Sequence, residues 1–141
     1  MKKIKNIILI LTISLSLVAC TNNDTSITSN ESKSIDITII DESSGSENIL
    51  FDETIDASSS NNLYEVLENN KDKIQMSGKV EEYGFALYEL MGVECNWEKG
   101  PWWIYSSDNN EICVKMNMCP VMEEIIIKDK DKFIFKLTSN I

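Results

Sequence analysis

From residue 35 onward the chain changes its hydrophobic period in an orderly way, and each change marks an element. Ile35, Ile37 and Ile39 alternate with Asp36 and Thr38, the period of a half-buried strand. Asp41-Glu42-Ser43-Ser44-Gly45-Ser46 is turn chemistry, after which Ile49-Leu50-Phe51-Asp52-Glu53-Thr54-Ile55 returns as a second strand. The period then becomes helical. Asn62 stands three residues before Glu65, as at the start of a capping box, and Leu63, Val66 and Leu67 share one face. Asn69-Asn70 ends this helix, which at about three turns needs a sheet to pack on.

After Gly78 the strand period resumes across residues 80–93, through Tyr83-Gly84-Phe85-Ala86-Leu87-Tyr88 and Leu90-Met91-Gly92-Val93. Glu98-Lys99-Gly100-Pro101 forms a turn before Trp102-Trp103-Ile104-Tyr105, which is expected to be a central strand. A turn at residues 106–110 follows. Ile112 and Val114 then alternate with Cys113 and Lys115, the pattern of another strand. Glu124-Ile125-Ile126-Ile127 and Lys132-Phe133-Ile134-Phe135-Lys136-Leu137 read as strands flanking a charged turn. Two strands, one main helix and further strands predict an α+β mixed sheet.

The first 34 residues obey a different pattern. Lys2, Lys3 and Lys5 precede an apolar run over residues 7–19, broken only by Thr12, Ser14 and Ser16. A charged start, a 13-residue apolar stretch and a small residue before the cut site make a secretory signal peptide over residues 1–19. The run is too short to span a bilayer, which takes about 20 apolar residues. Leu17-Val18-Ala19-Cys20 resembles the lipobox of bacterial lipoproteins, a resemblance that implies acylation of Cys20. Two or more acyl chains hold a protein to a membrane where one binds marginally. Residues 20–34 then read as the lipidated cysteine and a flexible tether, rich in Thr, Asn and Ser with one Ile and no aromatic residue. As a coil it reaches roughly 20 Å, so the folded domain is expected over residues 35–141, outside the cell.

Charge narrows the chemistry. Without residues 1–19 the chain has 10 Lys against 23 Asp and Glu, a net charge of −13. Nucleic acid repels such a domain. The sequence contains no His and no Arg. It thus lacks the commonest general base, the commonest transition-metal ligand and the bidentate anion clamp. No catalytic function is expected. The paired acids Asp41-Glu42, Glu81-Glu82 and Glu123-Glu124 read as a solvated acidic face, and Asp129-x-Asp131 lacks the Gly and distal Glu of a calcium loop.

The order of these motifs resembles a domain family similar to the C-terminal domain of transcobalamin, found in lipoproteins and surface proteins of Gram-positive bacteria. The resemblance runs through the strand pair, Asn62-Leu63-Tyr64-Glu65-Val66-Leu67, Tyr83-Gly84-Phe85, Leu90-Met91-Gly92-Val93, Trp102-Trp103-Ile104-Tyr105 and the closing Lys130-Asp131-Lys132-Phe133-Ile134-Phe135. It implies a β-grasp-like fold. Two turns depart from the family pattern: Asp108-Asn109-Asn110 replaces an Asn-Gly turn, and Lys130-Asp131 replaces Gly-Asp. In transcobalamin-like proteins this domain closes over cobalamin, with a helical domain as the other wall. These 141 residues hold no counterpart of that helical domain.

Trp97, Trp102, Trp103 and Tyr105 are the densest aromatic group and the candidate ligand-binding residues. Adjacent tryptophans on a strand face opposite sides, so both can serve packing, or the outward one can stack on a flat ligand. Cys95, Cys113 and Cys119 are the other candidates. Outside the cell they suggest one disulfide and a spare, with Cys113 and Cys119 closing a small loop or Cys95 pairing across strands; buried free thiols are the other reading. Their spacing does not suggest a metal site. The sequence therefore predicts a lipid-anchored extracytoplasmic binding domain, with a corrinoid such as cobalamin as one planar ligand. The alternative is a surface protein–protein or adhesion module that pairs through a sheet edge.

Overall fold

The structure, a computed structural model, describes residues 32–140. The predicted signal peptide, Cys20 and most of the tether lie outside the described residues. Chain order is β1 (Ser34–Asp41), β2 (Asn48–Asp56), α1 (Leu63–Asn69), β3 (Ser77–Glu81), β4 (Gly84–Leu90), β5 (Val93–Glu94), β6 (Trp102–Ser106), α2 (Glu111–Met116), a 3₁₀ turn (Met122–Glu124) and β7 (Lys132–Thr138). No helix among the described residues is long and apolar enough to cross a membrane.

The alternating segments at the two ends of the domain meet in its middle. β1 and β7 run parallel, with Ile37 opposite Phe133 and Ile39 opposite Phe135; all four side chains are fully buried. β2 and β6 flank them antiparallel, giving a mixed sheet of order β2-β1-β7-β6. α1 joins the same core through Leu63, Val66 and Leu67. Its start is capped as the spacing predicts: the Asn62 side chain accepts the Glu65 amide at 2.9 Å, while Glu65 accepts the Asn61 amide at 2.6 Å. The mixed sheet with one main helix is the α+β, β-grasp-like arrangement. β3, β4 and β5 form a second, antiparallel sheet of their own.

Three local expectations are corrected. β6 is an edge strand, not a central one, because β7 pairs one side of it and no strand among the described residues pairs the other. Residues 111–116 are helix, not strand. Asn110 caps α2 by accepting the amides of Ile112 and Cys113, and Asn117 closes it in the left-handed region at φ 57°. The apparent alternation misled because Cys113 is the buried residue, while Val114 is 55% exposed. Residues 124–127 do not form a strand either. The 3₁₀ turn leads into a segment that buries Ile125 and Ile127 and makes a single bridge from Ile126 to Asn62.

The two departing turns interlock. Buried Asn110 donates to Asp131 Oδ2 at 2.6 Å and to the Ile126 carbonyl at 3.0 Å. Asn109 donates to the Lys130 carbonyl at 2.9 Å and accepts the Lys132 amide at 2.8 Å. Lys130, standing where the resembled family has Gly, takes φ 67°. The asparagine contacts hold that left-handed turn together.

Candidate functional site

The four aromatic candidates do not form one site. Trp103 enters the core and donates its indole N–H to the Val93 carbonyl at 3.1 Å. Tyr105 lies on the same face of β6, 5.7 Å from Phe135, and its hydroxyl donates to the Pro120 carbonyl at 2.8 Å. Burial, and secondarily the Glu123 carboxylate, pushes the Tyr105 phenol up to about 12. Trp102 points to the opposite face and packs on its own turn. A Cβ at Gly100, where φ is 72°, would come within 2.5 Å of the Trp102 ring. Trp97 is the tryptophan that stands free, at 51% exposure.

Trp97 stands over a cleft built by the second sheet. Ser77, Tyr83, Tyr88, Glu94, Cys95 and Trp97 enclose about 520 Å³. Tyr88 and Trp97 meet edge to face, with centroids 6.1 Å apart and planes at 76°, so they form two walls of a corner. Tyr83, 65% exposed, contributes a third ring from the β3–β4 turn. Tyr88 reaches the cleft because the β3–β4 register skips it: Gly78 faces Leu87 and Ser77 faces Glu89. A bulge of this kind re-aims a side chain.

The Trp97 loop is fastened at several points. Asn96 accepts the amides of Glu98 and Lys99, each at 3.1 Å, and its own amide donates to the Pro101 carbonyl at 2.9 Å. Trp102 donates to the Trp97 carbonyl at 3.3 Å. The ring is thus exposed on a constrained backbone, which lowers the ordering cost of binding. Cys95 remains a thiol and contacts the Leu87 carbonyl at 3.5 Å. Burial pushes its pKa up, which keeps it protonated at neutral pH and a poor nucleophile.

A second concavity of about 680 Å³ lies along the unpaired edge of β6. Its far wall is the loop closed by the Cys113–Cys119 disulfide, with Val114 and Met118 exposed on it. Among the described residues no three His, Cys, Asp or Glu side chains converge as metal ligands.

No protein-family model matches the sequence, and no curated protein matches it either. Among solved structures, the chain is similar to that of a Ruminococcus gnavus protein described as a candidate metal binder. The two are 21% identical over 77% of this chain and 99% of the other, with a TM-score of 0.56. This likeness establishes the fold. Sequence reasoning had selected Trp97 and Cys95 but missed Ser77, Tyr83, Tyr88 and Glu94. Tyr83 lies in a turn that interrupts the strand run expected over residues 80–93, and the bulge at Tyr88 depends on pairing.

Proposed function

We propose that this chain is a bacterial surface lipoprotein whose domain captures a small, flat organic molecule in the Tyr83–Tyr88–Trp97 cleft. The observation that carries this reading is the corner of exposed rings on a fastened loop. Large aromatic side chains usually bury themselves, and rings left open around a concavity favour stacking on a ligand. The resemblance to the transcobalamin C-terminal domain supports binding as the role and makes corrinoids the first compounds to try. A metal, the ligand suggested by the description of the Ruminococcus gnavus protein, would find no converging donor set among the described residues. The lipobox-like Leu17-Val18-Ala19-Cys20 supports anchoring at the outer face of the membrane.

Titrating cobinamide, cobalamin and haem against tryptophan fluorescence of the detergent-solubilised protein tests the capture reading. Saturable quenching that disappears in Trp97→Ala is expected. The anchor is tested separately. Cys20→Ser is expected to yield unprocessed or released protein, and a variant still processed and membrane-held would overturn the lipoprotein reading.

The β6 edge favours a second reading, in which an extended peptide adds to the sheet. The specific observation is the unpaired strand beside a groove with exposed Val114 and Met118. Under it, a double Val114→Lys, Met118→Lys variant loses a surface partner that the wild type cross-links, while Trp97→Ala retains it.

A further inference from the structure

We infer that the ligand of the aromatic cleft is an organic cation, an inference that rests on the cleft being the ligand site. Rings alone accept any flat molecule, but the charges around these rings select by sign. Glu94 lines the cleft and makes no ion pair among the described residues. Directly across the β4–β5 pair stands Glu89, so two carboxylates occupy one cross-strand position. Like charges directly opposite each other destabilise a sheet. The Ser77 hydroxyl donates to Glu89 at 3.1 Å, the relief it has among the described residues.

Lys79 on β3 does not offset them. Lys79 is engaged by Glu81 Oε1 at 3.0 Å, and the Tyr88 hydroxyl donates to that same oxygen at 3.4 Å. Glu81 thus neutralises Lys79 behind Tyr88, while Glu94 in the lining keeps its charge without an ion pair among the described residues. Aromatic faces carry the negative end of the ring quadrupole and attract cations placed over them. Three rings and an unpartnered glutamate lining one cavity suit a quaternary or protonated nitrogen. An anion would meet Glu94 and the negative faces of the rings, with no Arg or His in the chain to hold it.

A matched pair of probes separates charge from flatness: N-methylquinolinium, a permanent cation, and quinoline, its neutral counterpart at pH 7.5. Both are titrated calorimetrically into the detergent-solubilised protein and into its Glu94→Gln and Trp97→Ala variants. Glu94 is exposed, so its replacement leaves the fold intact. The cation is expected to bind about tenfold more tightly than quinoline, an advantage that shrinks with added salt. Most of the advantage should vanish in Glu94→Gln with quinoline binding unchanged, and Trp97→Ala should weaken both. Equal affinity for the two probes would overturn the cation inference and leave the flat-ligand reading standing. Saturable binding of neither probe would overturn both.

Discussion

The two sheets of this domain differ in how many of their rings and aliphatic side chains they bury. In the β2-β1-β7-β6 sheet, Ile35, Ile37, Ile39, Phe133 and Phe135 are all fully buried. In the β3-β4-β5 sheet and its turns, Val80, Tyr83 and Trp97 are each at least half exposed. The first sheet supplies most of the core around α1, and the second, with one strand of only two residues, adds Leu87 and Leu90 to it and holds rings at its surface. On the proposed function, substitution of the fully buried first-sheet residues should unfold the protein, and substitution of the exposed rings Tyr83 and Trp97 should change what it binds.

The largest expected effect lies in the first sheet. Phe133→Ala removes a fully buried ring on β7, opposite Ile37, and should cost about 3–5 kcal/mol in denaturant unfolding. Next comes the interlocked turn. Asn110→Ala removes the α2 cap and leaves buried Asp131 without its side-chain donor, a loss of about 2–3 kcal/mol by the same measurement. Trp97→Ala should instead leave stability within about 0.5 kcal/mol of wild type. Its cost should appear in ligand binding, at about 1–3 kcal/mol for a lost stacking surface. An unstable Trp97→Ala would erase the contrast between the sheets.

The smallest effect sharpens the contrast through pH. An unfolded tyrosine ionises near 10, but Tyr105 in the fold holds its proton to about 12. Between those values the unfolded chain sheds a proton that the folded chain retains, so stability falls as pH rises. Tyr105→Phe should cost about 1 kcal/mol at neutral pH through the lost bond to Pro120. It should also flatten the alkaline decline, measured as denaturation midpoint against pH.

How far these regions could be read in advance follows from what each depends on. β1, β2, α1 and β7 were legible because a single period runs through each and the cap at Asn62 is local in sequence. The edge position of β6 was not, since strand order depends on pairings among distant segments. α2 is illegible in sequence because six residues carry too few turns to show a helical period, and its cap Asn110 is also turn chemistry. The cleft was half legible. Trp97 stands out by composition, but Tyr88 is turned toward it by a bulge, and Glu94 faces Glu89 only once β4 and β5 have paired.

The cleft can be tested directly by following the three tryptophan indole N–H resonances during a titration with N-methylquinolinium. Trp103 donates within the core and Trp102 donates to its own loop, so each reports a different place. The account predicts that the Trp97 resonance shifts most and saturates, with Trp103 unmoved. A saturable shift centred on Trp103, beside the β6 edge, with Trp97 unchanged would contradict it.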